Sequence, residues 1–219
     1  MKKFAVILCG CGSMDGSEIH ESVMTMLAID RHECSYTLFA PDGNQAQVIN
    51  HYTKEIMEEN RNMLVESARI ARGDIHPLTE YNAEDFDALI LPGGFGAAKN
   101  LFTYAFDGIK AKVDPEVERV IRSTFKLKKP IGALCIAPVL LAKVLKNITV
   151  TVGSDPDTVS DVEKMGAHHI NTQQTEVIAD KQNMIFSTPC YMLPATIADI
   201  ADSAENLISS ILENIQQVS

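Results

Sequence analysis

The sequence contains no tryptophan, no long apolar run and no run of basic residues. No stretch approaches the ~18 consecutive apolar residues of a membrane-spanning helix, so we expect no membrane partner. The net charge is −10, and basic residues are not interleaved with aromatic ones. This acidic composition argues against nucleic-acid binding. The 46% of hydrophobic residues suffices for a sizeable core.

No export signal is expected either. Lys2 and Lys3 precede an apolar run of about six residues, which is shorter than the ~7–15 residues of a signal peptide, and no small-residue cleavage site follows. The five cysteines are scattered and odd in number. Reduced thiols in a cytosol-like compartment are therefore expected rather than disulfides. These observations predict a cytoplasmic protein.

Motifs for metals and cofactors are missing as well. Cys9 and Cys11 are not at a zinc spacing, and Cys34 and Cys190 stand alone. The chain has neither the glycine fingerprint of a dinucleotide site nor a phosphate-binding loop. We therefore expect no metal and no cofactor.

Apolar strand-like runs alternate with helix-period segments, which predicts an α/β fold with a mostly parallel sheet between two layers of helices. No linker or repeat interrupts the pattern, so a single domain is expected over residues 1–219. The predicted strands are Phe4–Cys9, Ser35–Ala40, Asp87–Leu91, Ile131–Leu134 and Ile148–Val152, with a short strand or edge segment at Gln47–Tyr52 and a small β-hairpin formed by Glu176–Ala179 and Met184–Ser187. The predicted helices cover Ser17–Ile29, Asn62–Arg72, Pro115–Leu127, the segment after Cys135, Thr158–Met165 and Ala195–Ile215.

Hydrophobic periodicity also predicts which helix faces are buried. In the first helix the inward face is expected to carry Ile19, Val23, Met26 and Leu27, and Ser17 is the expected N-cap. In the second helix, Leu64, Ala68 and Ala71 are expected to point inward.

The organising element of the chain is the stretch from Lys129 to Leu141. Ile131–Leu134 reads as a buried strand, and a helix with Pro138 in its first turn follows. Cys135 therefore lies at a strand-to-helix turn. A thiol facing the positive end of a helix dipole is expected to have a lowered pKa, which makes Cys135 the candidate nucleophile.

Two loops are expected beside Cys135, because loops gather at the carboxyl ends of parallel strands. In one, glycines follow a buried strand, and the N–H groups of Gly94 and Ile136 can form an oxyanion-binding pair. The alternative reading of this loop is a tight turn. The other loop leads into Glu18, His20 and Glu21, where a carboxyl can exchange protons with the thiol. The alternative is that these acids only complement the helix dipole.

Several long motifs resemble one family over nearly the whole chain. They are Asp15-Gly16-Ser17-Glu18-Ile19-His20-Glu21, Val48-Ile49-Asn50-His51, Pro92-Gly93-Gly94-Phe95-Gly96-Ala97-Ala98-Lys99-Asn100-Leu101 and Cys135-Ile136-Ala137-Pro138. They resemble the ElbB family, described as isoprenoid-biosynthesis proteins with an amidotransferase-like domain. That family belongs to the PfpI-like branch of the class I glutamine amidotransferase-like superfamily. The resemblance implies a flavodoxin-like three-layer sandwich and a homodimer.

The resemblance also implies roles for residues. Cys135 matches the nucleophile and Glu21 its hydrogen-bonded carboxyl, while Gly94 and Ile136 match the backbone oxyanion donors. The expected substrate-binding candidates from the glycine loop are Gly93, Phe95, Lys99 and Asn100; the alternative for Lys99 is a solvated surface charge. Many relatives have a histidine on the loop after the strand that follows the nucleophile helix. Here that loop reads Val152-Gly153-Ser154-Asp155-Pro156 and contains no histidine; Asp155 is the nearest candidate.

The resemblance implies glyoxalase chemistry, in which a small aldehyde, glyoxal, becomes glycolate without glutathione. Cys135 would attack the aldehyde and Glu21 would move protons. Glutaminase and protease activities are not expected, because both need a base for the thiol and no histidine is assigned to it. The alternatives are a redox sensor, in which Cys135 is oxidised beside Glu21, and an accessory binding protein linked to isoprenoid biosynthesis.

Overall fold

A computed structural model describes residues 1–217, and its centre is a seven-stranded sheet in the order β3–β2–β1–β4–β5–β9–β8. Neighbouring strands run parallel except β8 and β9, which form the antiparallel hairpin. Strands β6 and β7 pair separately. The strands are β1 (Lys3–Ile7), β2 (Ser35–Ala40), β3 (His76–Pro77), β4 (Ala88–Leu91), β5 (Ile131–Leu134), β6 (Thr149–Val150), β7 (His168–His169), β8 (Ile178–Asp180) and β9 (Ile185–Thr188).

Helices flank this sheet. They are α1 (Ile19–Arg31), α2 (Met63–Ile70), α3 (Ala97–Asn100), α4 (Tyr104–Asp107), α5 (Pro115–Lys126), α6 (Ala137–Val144), α7 (Pro156–Lys164) and α8 (Ile197–Gln217). Helix α1 connects β1 to β2, and α5 connects β4 to β5, in the opposite direction across the sheet. Because both crossovers are right-handed, the two helices lie on opposite faces of the sheet. Helix α8 packs against α1. The flavodoxin-like three-layer arrangement is therefore confirmed.

The strand order reverses between β1 and β4, because the chain leaves β1 toward one edge and leaves β4 toward the other. At such a switch point the loops after neighbouring strands separate and leave a crevice at the carboxyl ends of the strands. The loops after β1, β4 and β5 all open there. The central strands are buried on both faces, with every residue of β4 and β5 buried.

The buried face of α1 differs from the predicted one. Ile19, Val23 and Leu27 are 42%, 39% and 37% exposed, and Met26 is only partly buried. The inward face instead carries polar side chains, including Glu21 and Ser22. Periodicity detected the helix correctly but assigned the wrong face, because these polar groups find partners inside: Ser22 Oγ donates to the Glu18 carbonyl at 2.6 Å, and Glu21 accepts a backbone N–H.

Three other details are corrected. The N-cap of α1 is Glu18, whose side chain accepts the Glu21 N–H, whereas Ser17 Oγ accepts the Cys9 N–H. Residues 47–52 form no strand, and Ile49 pairs only in an isolated bridge with Ile56. Helix α2 buries Met63, Glu66 and Ser67 rather than Leu64 and Ala68, because its acidic and hydroxyl groups are hydrogen-bonded.

Candidate active site

Cys135 occupies a sharp elbow between β5 and α6. Its φ is +61°, in the left-handed region that non-glycine residues rarely adopt. The Cys135 N–H donates to the Thr188 carbonyl on the neighbouring strand at 3.0 Å, which holds this conformation in place. Such a conformation costs of the order of 1–3 kcal/mol and is typical of functional sites. The elbow predicted from the sequence is therefore present.

Glu21 reaches the elbow from the first turn of α1. Its side chain is fully buried, and Oε2 accepts the Gly93 N–H at 2.8 Å. The Cys135 thiol and the Tyr191 N–H approach the carboxyl closely enough to lower its pKa, yet Oε1 completes no hydrogen bond with a described residue. Burial, reinforced by Glu18, dominates and raises the pKa of Glu21 to about 8. The carboxyl is consequently neutral at pH 7.

The thiol does not have the lowered pKa that its place at a helix N-terminus predicts. Burial and the nearby Glu21 raise the pKa of Cys135 well above its usual value. Hydrogen bonds from the N–H groups of Gly94 and Ile136 act in the opposite direction, but they are outweighed. The helix-dipole argument was wrong here because it ignored desolvation, which disfavours the charged sulfur.

Gly93 and Gly94 permit the close approach of their loop to the elbow. A Cβ on Gly93 would lie 2.5 Å from Cys135 Cβ and 2.8 Å from Glu21 Oε2. Gly94 has a φ of +103°, and its missing side chain leaves room for the Glu18 backbone. The loop can therefore present two groups to the site: the Gly93 N–H to the carboxyl and the Gly94 N–H to the sulfur.

A cleft of about 550 Å³ opens over Cys135. Its apolar lining residues are Phe95, Tyr104, Ile136 and Met192. Its polar lining residues are Ser13, Glu18, His20, Thr158 and Tyr191, and the Gly94 backbone completes it. The cleft thus combines a buried sulfur, backbone donors and a few side chains able to exchange protons, on a mainly apolar surface.

The predicted site residues separate into two groups. The first group lines the cleft and consists of Cys135, Gly94, Phe95 and Ile136. The other group includes Glu21 and Gly93, which lie outside the lining and are joined by the hydrogen bond from the Gly93 N–H to Glu21 Oε2. Lys99 and Asn100 are not among the lining residues, although Lys99 Nζ lies 4.9 Å from the centre of the Phe95 ring. Lys99 Nζ donates to the Met14 carbonyl at 3.0 Å, and Asn100 Nδ2 donates to the carbonyls of Cys9 and Asp15. These two side chains hold the loop after β1 in place.

The structure places His20, which the sequence had put in the loop beside Cys135, in the cleft and adds Tyr191 to the site. His20 Nδ1 and the Tyr191 hydroxyl are 2.7 Å apart, and both residues line the cleft. Tyr191 follows β9, the strand beside the elbow strand, which sequence patterns did not reveal. His51 lies elsewhere, against Asp15 and the Met14 N–H. Asp155 caps α7 through the Thr158 N–H.

Within residues 1–217, no group of three or more histidine, cysteine, aspartate or glutamate side chains is arranged to hold a metal ion. Over the same range, none of the helices combines the length and the apolarity needed to cross a membrane.

A flavodoxin-like sheet with a cysteine elbow, a buried glutamate and a glycine loop defines a PfpI-like protein of the class I glutamine amidotransferase-like superfamily. The chain belongs to the DJ-1/PfpI family, whose model matches residues 11–200.

Its relatives narrow this assignment. The chain is 43% identical to the rat ES1 protein homolog, mitochondrial, over 96% of its own length and 83% of the relative. It is 42% identical to human glutamine amidotransferase-like class 1 domain-containing protein 3, mitochondrial, over 96% and 82% of the two chains. A crystal structure of an isoprenoid biosynthesis protein with amidotransferase-like domain from Ehrlichia chaffeensis matches with a TM-score of 0.90 and 41% identity, covering 96% of this chain and 99% of that one. The resemblance to the ElbB group is thereby confirmed.

The same comparisons overturn the cytoplasmic prediction. The rat and human relatives, and a zebrafish ES1 protein that is 36% identical, are all named as mitochondrial proteins. The prediction rested on the absence of an export signal and on the number of cysteines. Neither feature distinguishes the cytoplasm from other reducing compartments.

Proposed function

We propose that this protein is a glyoxalase-type enzyme that converts glyoxal to glycolate without glutathione. The observation that carries the proposal is the Cys135–Glu21 pair, a strained nucleophile with a buried carboxyl beside its sulfur. A carboxyl with a pKa of about 8 can both accept and return a proton near neutral pH. Isomerisation of a small aldehyde requires a group that accepts a proton from one atom of the substrate and then returns it to another.

The first half of the reaction forms a thioester. The thiol proton passes to the Glu21 carboxylate as Sγ bonds to one aldehyde carbon, and the Gly94 and Ile136 N–H groups stabilise the resulting oxyanion. Glu21 returns its proton to that oxygen, removes the C–H proton from the same carbon and delivers it to the neighbouring carbon. The hydroxyl proton on the first carbon then passes to the oxygen of the neighbouring carbon, as the first carbon forms the C=O bond of the thioester. One carbon is oxidised and the other reduced, so no external oxidant is needed. The product is glycolyl-Cys135.

The second half releases the product. Water adds to the thioester carbonyl, the C–S bond breaks and the sulfur regains a proton. The sum is glyoxal plus water giving glycolic acid. The cleft of about 550 Å³ does not limit such a small substrate.

The experiment is to measure glycolate formed from glyoxal by the wild type, by Cys135→Ala and by Glu21→Gln. Cys135→Ala is expected to abolish turnover. Glu21→Gln is expected to lower it roughly 10²–10⁴-fold, the usual contribution of a positioned proton-transfer group. Cys34→Ala, at a cysteine outside the cleft, serves as the control. Full turnover by Cys135→Ala would contradict the proposal.

A second candidate function is redox sensing, which the neutral state of Glu21 favours. A protonated carboxyl can donate a hydrogen bond to an oxygen added to the sulfur, and this would stabilise a sulfinate at Cys135. Mild peroxide followed by intact-mass measurement tests this function. Oxidation confined to Cys135 and weakened in Glu21→Gln is expected, whereas a Cys135 that stays reduced while free thiols oxidise would rule it out.

A further inference from the structure

The proposed reaction needs a second proton-transfer group. During hydrolysis of the thioester, a water molecule in the cleft must lose a proton as it attacks the carbonyl carbon, and the departing sulfur must gain one. Glu21 is poorly placed for the first task, because it is fully buried and is not among the residues that line the cleft, from which the water must come. The base for water must come from the lining of the cleft itself.

Most lining groups are unsuited to this role. Tyr104 donates to Asp161 at 3.0 Å, and its surroundings raise its pKa to about 12. Glu18 is buried and its Oε2 is occupied by the Glu21 N–H at 2.7 Å. The pKa of Tyr191 is also raised, by partial burial and then by Glu18 and Glu21, so its hydroxyl stays protonated at neutral pH. His20 differs from these groups, because it is an exposed lining side chain with a ring nitrogen able to accept a proton.

His20 is also held in place. Its Nδ1 lies 2.7 Å from the Tyr191 hydroxyl, and the two ring centroids are 6.0 Å apart. Tyr191 is fixed in turn, since its backbone N–H approaches the Glu21 carboxyl. In the tautomer whose Nδ1–H donates to the tyrosine oxygen, Nε2 carries the lone pair that accepts a proton. Orientation of a base by a third group is the usual design of hydrolytic sites.

From this geometry we propose that His20, oriented by Tyr191, is the general base that activates water for hydrolysis of the Cys135 thioester. The inference rests on the proposed function. His20 Nε2 takes a proton from water as the oxygen bonds to the carbonyl carbon. When the C–S bond breaks, the imidazolium returns that proton to the sulfur. The acid is released, Cys135 is again a thiol and His20 is again neutral.

The decisive variant is His20→Gln, because a defect in the second half-reaction has its own signature. Glyoxal is expected to be consumed once per active site, after which steady glycolate formation proceeds roughly 10²–10⁴-fold more slowly than in the wild type. The thioester should accumulate and be trapped by hydroxylamine as the glycolyl hydroxamate. Tyr191→Phe should show a smaller version of the same defect. Added imidazole should partly restore the turnover of His20→Ala.

His76→Gln is the matched control, since His76 is an exposed histidine paired with Glu80 outside the cleft. His20 is itself exposed, so unchanged thermal unfolding of its variants is expected. Wild-type turnover by His20→Gln would overturn the inference. Loss of the first turnover without a trapped thioester would also overturn it, because the role would then lie in the first half-reaction.

A second measurement separates this inference from the proposed function. Cys135 is acetylated with p-nitrophenyl acetate, and the loss of the acetyl group is followed by intact mass. Slower loss of the acetyl group in His20→Gln than in the wild type supports the role of His20. If the wild type also makes no glycolate, only the proposed glyoxalase function is contradicted. Equal loss in both proteins overturns the inference. If neither glyoxal nor the ester modifies wild-type Cys135, both proposals fall.

Discussion

Glu21 is a buried acid whose pKa is set by desolvation rather than by a cation. Among the described residues, no lysine, arginine or histidine forms an ion pair with it, and the nearby Glu18 adds repulsion to the cost of burial. Its carboxyl is therefore neutral until the pH approaches 8. Both the reactivity of the site and the stability of the fold depend on this one residue.

The pH dependence of the proposed reaction follows from the ionisation of Glu21. Only the ionised carboxyl can take a proton, so kcat/KM for glyoxal should rise up to about tenfold per pH unit below pH 8 and level off above it. Glu21→Gln should lose this rise along with most of the activity. Initial rates of glycolate formation between pH 6 and pH 9 make the test. A profile that is flat from pH 6 to pH 8 would contradict the assignment.

Glu21 should also make the protein less stable as the pH rises. Its folded-state pKa of about 8 lies above the ordinary value of 4.5, so the folded chain retains a proton that the unfolded chain releases between these values. The unfavourable contribution is absent below pH 4.5, grows through this window by at most about 1.4 kcal/mol per pH unit and is constant above pH 8.

Glu21→Gln is therefore expected to exceed the wild type in free energy of unfolding by an amount that grows from pH 5 to pH 8, reaching a few kcal/mol. Urea unfolding at several pH values measures the difference. Glu58→Gln, at an exposed glutamate, should show no such trend. A difference between Glu21→Gln and the wild type that does not change with pH would show that the carboxyl is already ionised in the folded protein.

At the scale of elements, the site depends on two loops that meet backbone to backbone. The loop after β1 and the loop after β4 exchange hydrogen bonds, from the Phe95 N–H to the Ser13 carbonyl at 2.7 Å and from the Glu18 N–H to the Gly93 carbonyl at 2.9 Å. Gly96 lies directly against the backbone of Gly16. These contacts set the position of the Gly94 N–H relative to Cys135.

Gly96→Ala tests this contact by steric means alone. Gly96 has a φ of −62°, so alanine fits the local conformation, but its Cβ would overlap the backbone of Asp15 and Gly16. We expect a loss of roughly 1–3 kcal/mol, as for overpacking, together with a fall in activity as the loops separate. Gly43→Ala is the control, since its Cβ would find only Met63 Cε at 3.5 Å. Equal stability of the two variants by urea unfolding would contradict the expected overlap.

The elements also show what sequence patterns can predict. The elbow at Cys135 was predictable because a short apolar strand, a cysteine and a helix with an early proline follow one another locally. The buried face of α1 was not. Ile19, Val23 and Leu27 have the spacing of a core face, so periodicity alone turned Glu21 outward, whereas the family resemblance had already put it beside Cys135. Likewise, Tyr191 reaches His20 across 171 positions of sequence.

For the whole molecule, we propose that the exposed apolar ridge of α1 is a contact surface of the homodimer that the family resemblance implied. Ile19, Val23 and Leu27 lie at successive four-residue intervals, and Ile197 at the start of α8 is 51% exposed. Exposed apolar side chains aligned along one helix are characteristic of surfaces that bind another protein. The homodimer itself remains a prediction.

Val23→Asp is the variant that tests the ridge. Sedimentation velocity should show a dimer for the wild type and a monomer for Val23→Asp, because a charge at the centre of an apolar contact must be desolvated without a partner. Val65→Asp, at a valine on α2 that is 62% exposed, should leave the assembly unchanged. A dimer that persists in Val23→Asp would show that the contact lies elsewhere. A monomeric wild type would contradict the predicted homodimer.

The position of β9 in the sheet has a consequence for the order in which the protein is made. β9 is the parallel neighbour of β5, its Thr188 carbonyl accepts the Cys135 N–H, and Tyr191 follows it into the cleft. Chains emerge from the ribosome N-terminus first. The nucleophile and Glu21 therefore exist for some time in a nascent chain that contains β4 but still lacks β9, the strand that accepts the Cys135 N–H. The elbow gains this hydrogen bond only after the chain has been synthesised past Thr188, so shorter nascent chains carry Cys135 and Glu21 without Thr188 and Tyr191.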